Sequence, residues 1–301
     1  MKRVLLILAL ICTTYQGAAQ AGIYLPTTIK TPNGSVVPDT FIHQGADMSL
    51  TGAEISAIKE ELRELYNSAA TMVSPPSYKY NCHAYAWHIT EGGSNVWLGY
   101  NTTTAHFIYW ADKSYIEVNE SAARKVVYTG NHSAIRFDSD RYQSKWGQYA
   151  LVSHHPNAVP VDYEPSSPRH YYVRNNLQVS GPTNPTAGTN VTFSVPSVPS
   201  GVTFDNWTVS KNSYTTIGGV GYRELKITFT AAGTYTLTAN YTLMGGEAYT
   251  ASTTINVNAP PPLPPAGPSL SSDLDTVNDP EHYGEAVYWQ PSSQSGYFYV
   301  T

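Results

Sequence analysis

The sequence predicts an α+β domain followed by an all-β sandwich in a chain of 301 residues. An amphipathic helix is indicated directly after Thr51, where apolar residues recur every three or four positions. Short helical and strand patterns then follow one another as far as residue 160. Over residues 171–258, apolar and polar residues alternate between turn residues, which is typical of antiparallel strands with one buried face.

The composition of the chain limits the classes of partner that it can bind. The formal net charge is −5, and the 17 Lys and Arg residues form no basic run. We expect no nucleic-acid partner, because binding to a phosphate backbone needs clustered positive charge. Only 13% of the residues are charged, whereas Tyr alone occurs 24 times. This composition is typical of an exported, β-rich bacterial protein.

The N-terminus has the pattern of a secretory signal peptide. Two basic residues precede an apolar run, 4–11, which is too short to span a bilayer. Small residues allow cleavage after Ala19 or Ala21, so we assign residues 1–21 to the leader. A retained membrane anchor and lipidation at Cys12 are the alternatives, and the bulky residue before that cysteine disfavours the second. We expect an exported protein (periplasmic, cell-surface or extracellular) with no integral membrane span after cleavage.

Two segments precede the candidate site. Residues 22–50 mix Gly, Pro, Thr and short apolar pieces, and we expect an extended arm or a small strand that covers the first domain. Whether this arm is a pro-segment stays open. Thr51 is the predicted N-cap of the helix, and Glu54 completes a capping box with it. We expect the helix to end by the break at residues 74–76, where two prolines follow a serine.

Cys82 is the one cysteine that remains after removal of the leader. A single thiol in an exported chain has no intramolecular partner, so it is either a buried small apolar group or a reactive thiolate. Residues 84–87 can continue as a helix, which places Cys82 in the first turn. The free N–H groups of a first turn favour negative charge, and we therefore expect a lowered thiol pKa.

His132 opens the second strand of a predicted hairpin, about fifty residues after Cys82. A thiol needs a base to attack a carbonyl at neutral pH, and an imidazole can take the proton and return it to the leaving amine. Cys82 and His132 are therefore the predicted nucleophile and base. The strands predicted in this region cover residues 106–110, 114–118, 125–128, 132–137, 144–147 and 149–152.

The segment from Tyr80 to Trp87 resembles the nucleophile motif of secreted papain-like amidases of the NlpC-like and CHAP-like group. In that group the cysteine opens a helix and a histidine begins a later strand, here matched by His132. The resemblance covers residues 80–160. It implies a papain-like catalytic domain over residues 51–160 that hydrolyses amide or peptide bonds through a thioester, often in bacterial cell-wall peptides. It implies neither a metal nor another cofactor.

One departure from that group and one open assignment concern the base. The strand before the histidine usually carries a Gly-Asp pair, and this chain has Ala123-Arg124 in that place. A third, polar residue selects the tautomer of the base. Asp138, Ser144 and His154 are the candidates, and we prefer His154 because it ends a strand.

The residues around Cys82 have supporting roles in this prediction. His83 shapes the cleft or the helix start, because neighbours on a helix point about 100° apart, and His88 is structural. Tyr80 and Asn81 are candidates for an oxyanion site beside the Cys82 backbone N–H. The nine histidines show no His-Glu-x-x-His spacing and the chain no paired cysteines, so no metal site is predicted.

The second half of the chain divides into a connector (161–170), a sandwich (171–258), a Pro-rich linker (259–268) and a tail (269–301). The sandwich segment resembles bacterial Ig-like and PKD-like modules, and Trp207 is its predicted core tryptophan. The linker should be a stiff, extended spacer. The tail is too short for a domain.

Two functions of different classes follow from these predictions. The first is a secreted cysteine hydrolase of a peptide or peptidoglycan-like substrate, which the sandwich holds near a surface polymer or a protein. The second is a surface binding or adhesion protein that keeps the fold without turnover. A toxin with the same chemistry is a third, weaker alternative. Rapid alkylation of Cys82 that slows when His132 is replaced by Ala distinguishes the hydrolase from the binding protein.

Overall fold

The computed structural model describes residues 23–263. The predicted leader, the predicted tail and the second half of the predicted linker lie outside the described residues. Residues 23–260 belong to one compact unit, and Pro261 belongs to a second. Among the described residues, every helix is too short or too polar to cross a membrane.

The predicted papain-like α+β fold of residues 51–160 is wrong, because the described chain is mostly β. Strands hold 37% of its residues and helices 15%. Its α-helices are α1 (Gly52–Tyr66), α2 (Cys82–Trp87) and α3 (Ile108–Ala111), and the last two have only six and four residues. The only long helix among the described residues is therefore α1, and apart from short helical turns the segments after it pair as strands.

The capping box predicted at the start of α1 is confirmed. Glu54 donates its backbone N–H to Thr51 Oγ1 at 3.3 Å, and Thr51 donates its own to Glu54 Oε2 at 2.7 Å. The helix ends earlier than predicted, because Asn67 adopts a left-handed conformation with φ 46°. The segment before the two prolines is a strand instead. On its inner face, α1 buries Ile58 and Leu62 against the sheet.

Most of the first half of the unit is built on one antiparallel sheet of seven strands. The spatial order is β3-β9-β8-β7-β6-β10-β5. These strands are β3 (Ala70–Ser74), β5 (Tyr115–Glu117), β6 (Lys125–Tyr128), β7 (His132–Arg136), β8 (Tyr142–Lys145), β9 (Leu151–His154) and β10 (Arg169–Arg174). A second sheet pairs β1 (Ile23–Pro26), β2 (Thr40–Gln44) and β4 (Trp97–Leu98) from the predicted arm and the loop after α2.

The strand predicted over residues 106–110 is wrong. Ala105–Phe107 form a 3₁₀ turn that continues directly into α3. Within this segment Trp110 lies three residues after Phe107 and four after His106, a spacing that places these rings on one side of a helical turn. The segment packs against α2, with the Trp87 ring 5.5 Å from that of Tyr109 and 5.4 Å from that of Trp110.

The second half of the unit contains two three-stranded antiparallel sheets that share one core. Their orders are β11-β14-β13 and β12-β15-β16. This arrangement agrees in part with the predicted sandwich, and Trp207 is buried in its core as expected. The strands are β11 (Asn190–Ser194), β12 (Thr203–Val209), β13 (Tyr214–Gly218), β14 (Glu224–Phe229), β15 (Gly233–Thr242) and β16 (Ala248–Val257).

The two halves are joined by both pairing and packing. Strand β10, which begins the second half, pairs with β6 and β5 of the seven-stranded sheet. Ile116 and Val118, from the end of β5, lie in the same apolar core as Phe193 and Leu237 of the sandwich. The seven-stranded sheet therefore needs the sandwich to cover part of its apolar surface.

We expect Leu237→Ala to lower the free energy of unfolding by about 2–5 kcal/mol, since it leaves a cavity in this shared core. The side chain of Leu237 is completely buried. Its neighbour Thr236 is exposed on the same strand, so Thr236→Ala is the matched control, with an expected change within about 0.5 kcal/mol. Urea unfolding followed by tryptophan fluorescence measures both. Equal effects of the two changes would contradict the shared core.

Candidate functional site

Asn81 sets the start of α2 and fastens it to the neighbouring strand. Its Oδ1 accepts the backbone N–H of Ala84 at 3.0 Å, which is an N-cap. Its Nδ2 donates to the carbonyl oxygen of Leu98 at 2.6 Å. Both ends of the side chain are therefore engaged, and Asn81 positions Cys82 rather than offering an oxyanion donor.

Cys82 is the first residue of α2, and its sulfur is almost completely enclosed. Backbone N–H groups of Ser133, His83 and Cys82 itself act on the sulfur as hydrogen-bond donors. These groups favour the thiolate, as does Lys145, but burial outweighs them and raises the pKa of the Cys82 thiol to about 11. The expected lowering of the thiol pKa is therefore absent in this conformation, because the helix start is buried against the sheet.

His132, the predicted base, opens β7 and is completely buried. It precedes Ser133, whose N–H acts on the Cys82 sulfur, so the first turn of α2 lies against the start of β7. Neither ring nitrogen of His132 has a hydrogen-bond partner within the described part of the chain. Burial, with smaller contributions from His154 and His83, holds the pKa of His132 well below its ordinary value. The imidazole is therefore neutral, as a general base must be.

His83 is held in one neutral tautomer by its neighbours. Asn131 Oδ1 is an acceptor, so the Nε2 of His83 at 3.1 Å carries the proton. The Nδ1 then accepts from Ser133 Oγ at 2.8 Å, and that oxygen in turn accepts from Trp87 Nε1 at 3.0 Å. The ring also stacks on His106 with the centroids 3.7 Å apart. His83 supports β7 and the wall of the site, which agrees with its predicted supporting role.

His154, the preferred third residue, belongs to a second network of the same composition. Its Nδ1 donates to the carbonyl oxygen of His155 at 2.9 Å, and its Nε2 accepts from Ser144 Oγ at 2.8 Å. Trp146 Nε1 donates to the same hydroxyl oxygen at 3.0 Å. Both nitrogens of His154 are thus engaged, so neither is available for a hydrogen bond to His132.

The other candidates for the third residue lie elsewhere or are already engaged. Asp138 sits in the exposed turn between β7 and β8, where its Oδ1 accepts the backbone N–H groups of Asp140 and Arg141, both at 2.8 Å. Ser144 lies in the network of His154. Of the predicted site residues, the structure brings together Cys82 and the strand start at His132.

Lys145 is a component of the site that the sequence patterns did not single out. It ends β8, is completely buried, and its Nζ donates to three carbonyl oxygens: Ser77 at 3.1 Å, Gly147 at 2.7 Å and Tyr149 at 2.5 Å. Its Nζ also lies 5.2 Å from the centre of the Tyr80 ring. Tyr80 therefore contributes a cation–π contact to Lys145. The sequence signal that could have identified Lys145 is its place within a short strand of a chain that has few charged residues.

Tyr163 is the second component that was missed. It lies in the predicted connector, and its ring stacks on the His132 imidazole at 3.8 Å and 3°. Burial, and after it the neighbouring Cys82, raise the pKa of Tyr163. Tyr163 therefore covers His132 and lies close enough to Cys82 to interact with it electrostatically. No sequence pattern marks it, because a tyrosine in a Pro-rich connector is common.

The connector segment 156–165, which carries Tyr163, is held down at both ends. Tyr128 donates its hydroxyl to the carbonyl oxygen of Pro156 at 2.7 Å, and Arg169 Nη2 donates to that of Pro165 at 2.7 Å. In the middle, Gly130 lies so close that a Cβ there would be 2.4 Å from the Asp162 carbonyl oxygen. We refer to residues 156–165 as the covering segment.

His88 is half-buried, and Gly93 packs directly against its ring, which agrees with the predicted structural role. Among the described residues, no cluster of three or more His, Cys, Asp and Glu side chains is arranged to hold a metal ion. A scan against protein-family models and a search of curated proteins returned no match to this chain. The resemblance of residues 80–87 to the papain-like amidases stays a prediction, and the functional argument rests on the geometry above.

We expect the protein to lose stability as the pH falls from about 6.5 to about 4. Burial lowers the pKa of His83 and of His154 to about 4. Above about pH 6.5 these rings are neutral in both the folded and the unfolded chain. Below it only the unfolded chain takes up protons, so each ring reduces the free energy of unfolding by about 1.4 kcal/mol per pH unit.

Urea unfolding at several pH values tests this expectation with a matched pair of variants. His154→Gln should flatten the dependence on pH by about 1.4 kcal/mol per unit, since one buried ring is removed. His155→Gln, which changes the exposed neighbour, should leave the dependence as in the wild type. An unchanged slope in His154→Gln would show that this ring is protonated in the folded protein.

Proposed function

We propose that the chain is an exported thiol hydrolase that cleaves amide or peptide bonds, with Cys82 as the nucleophile and His132 as the base. The observation that supports it most is the contact of Ser133 with Cys82. Because the N–H of Ser133 acts on the sulfur, the preceding histidine begins its strand beside the thiol. The two chemical groups come from a helix and a strand, which hold them more rigidly than loops would.

In the proposed reaction, the thiol proton passes to a ring nitrogen of His132 as the Cys82 sulfur attacks the carbonyl carbon of the substrate. The C–S bond forms, and the carbonyl oxygen takes the negative charge. When the C–N bond breaks, the amine leaves with the proton from His132, and a thioester remains. Water then gives a proton to His132 and attacks the thioester, which releases the acid and restores the thiol.

The backbone N–H groups around Cys82 are suited to this chemistry. The N–H groups of Cys82, His83 and Ser133 already meet at the sulfur. Fixed backbone donors beside the sulfur favour its ionised form, which is the form that attacks a carbonyl. The neutral imidazole and these donors supply the base and the electrostatic stabilisation, and the proposed mechanism uses no metal.

The burial of the pair requires one movement before substrate can bind. Tyr163 lies flat on His132, and both Cys82 and His132 are buried. We assign the covering segment as the part that moves. Its tip is exposed at Val161, and it is held by hydrogen bonds at its ends rather than by strand pairing. Displacement of Tyr163 would restore hydration to the sulfur and so lower the pKa of the thiol.

Substrate and location follow from the sequence predictions. Cell-wall stem peptides or another peptide are the proposed substrate, and the leader directs the protein to the periplasm, the cell surface or the medium. The sandwich is proposed to hold the site near a surface polymer or a protein. Nucleic acid is not a proposed partner, since the net charge is −5.

A second candidate function is a surface binding protein with an inert thiol. The observation that favours it is the burial of Cys82, which raises the pKa of the thiol to about 11. A structural cysteine is typically buried and unreactive. The two candidates differ in whether Cys82 and His132 act together.

Incubation with soluble stem peptides released from purified peptidoglycan, and separately with casein, tests the hydrolase by mass spectrometry of the products. We expect cleavage that Cys82→Ala abolishes, because no other group in the proposed mechanism can form the thioester. His132→Ala should slow it by about 10²–10⁴-fold, the usual contribution of a general base. His155→Ala, at an exposed histidine, should cleave as the wild type does. Cleavage that survives Cys82→Ala would rule out this mechanism.

Alkylation of Cys82 by iodoacetamide tests the role of the covering segment. Gly130→Ala places a methyl group against Asp162 and Tyr163, and such overpacking costs about 1–3 kcal/mol. We expect about tenfold faster alkylation, since 1.4 kcal/mol corresponds to a factor of ten. Gly221→Ala is the matched control, because a Cβ there meets nothing within 4 Å. Equal rates in the two variants would show that access to Cys82 does not depend on this segment.

A further inference from the structure

Lys145 is a buried cation without a carboxylate partner. Its Nζ hydrogen bonds within the described residues go to three backbone carbonyl oxygens, and only the ammonium form has three N–H donors for them. Burial lowers the pKa of Lys145 to about 7, so the cation is present below neutral pH and is lost above it. Within the described residues, no carboxylate oxygen lies within ion-pair distance of this Nζ. A buried charge that is not paired is costly, so a nearby group that can become an anion is strongly favoured in that form.

A second buried lysine in the same sheet shows what ordinary pairing looks like. Lys125 in β6 is as inaccessible as Lys145, but its Nζ lies 2.5 Å from Glu91 Oε1 and donates to Thr90 Oγ1 at 2.8 Å. Its charge is neutralised locally. The contrast indicates that the unpaired charge of Lys145 serves something other than the stability of the sheet.

The Cys82 thiol is the ionisable group that interacts most strongly with the charge of Lys145, and Asp47 comes second. The relation is mutual, since Lys145 favours the ionised form of Cys82. Strand β8, which carries Lys145, packs against α2. The other ionisable groups of this region are Tyr163 from the covering segment, which also interacts electrostatically with Cys82, and His132 and His83, and none of these is a cation here.

We propose that Lys145 is a positioning residue of the thiol site, whose fixed ammonium sets the fraction of Cys82 that is ionised. The three carbonyl oxygens hold the cation in place, so its field on the sulfur does not depend on a flexible side chain. Cys82 would then have two kinds of support: His132 takes the proton, and Lys145 stabilises the charge that remains. This inference rests on the proposed thiol chemistry and assigns it a further residue.

The test is the rate of Cys82 alkylation by iodoacetamide between pH 6 and 9 in the full mature chain. Lys145→Met and Lys145→Gln both remove the charge, and Gln keeps donors for the carbonyl oxygens. We expect both to slow alkylation about tenfold at pH 6, where Lys145 is charged, which is the effect of raising a thiol pKa by about one unit. The effect should decrease toward pH 9, because burial lowers the pKa of Lys145 to about 7. Lys145→Arg keeps the charge and should stay within about threefold of the wild type at pH 6. If the substitutions acted only through lost packing, Lys145→Gln and Lys145→Arg would be alkylated at similar rates.

Lys125→Met is the matched control, because it removes a buried lysine from the same sheet without changing the charge beside Cys82. Circular dichroism establishes folding, and Lys145→Gln carries the test if Lys145→Met does not fold. Rates in Lys145→Gln and Lys145→Met equal to that of Lys125→Met would overturn the role of Lys145 even if the wild type cleaves peptides. Slower alkylation in a chain that cleaves neither stem peptides nor casein would support Lys145 while rejecting the hydrolase.

Discussion

Ser133 is the residue on which the arrangement of the candidate site depends. Its backbone N–H acts on the sulfur of Cys82, and its hydroxyl joins His83 to Trp87. One residue of β7 therefore engages the start, the first turn and the end of α2. An isolated helix of six residues is unstable in water, because the cost of its first turn is not recovered over so short a length. The contact with β7 is what allows α2 to exist and to carry a thiol at its first position.

Two networks of the same composition surround the base. His83 with Ser133 and Trp87 lies on one side of β7, and His154 with Ser144 and Trp146 lies toward β8 and β9. In each, an indole N–H occupies a lone pair of the hydroxyl oxygen, so that the hydroxyl proton turns to the imidazole. Both rings are thereby neutral and fixed in one tautomer. The enclosure of His132 is built from polar groups whose hydrogen bonds are satisfied internally, while its own nitrogens stay free.

Burial has opposite consequences for the groups that meet at this site. It raises the pKa of the Cys82 thiol and lowers those of the imidazoles, because desolvation always disfavours the charged form. Burial also lowers the pKa of Lys145 to about 7, although three carbonyl oxygens solvate its ammonium form. The covering segment thus keeps the thiol protonated, and the buried ammonium opposes that effect from the other side. The balance between them decides when Cys82 is reactive.

The sequence by itself determined the capped helix α1, the hairpin whose second strand begins at His132, and the alternating strands of the sandwich. Each depends on local periodicity, a cap or a turn. Only the tertiary structure decided that the first half is mostly β, that residues 105–111 are helical, and that Lys145 and Tyr163 belong to the site. These features arise from contacts between residues far apart in the chain. The field of Lys145 on Cys82 and the stacking of Tyr163 on His132 leave no periodic trace, because each depends on how strands pair and what then covers them.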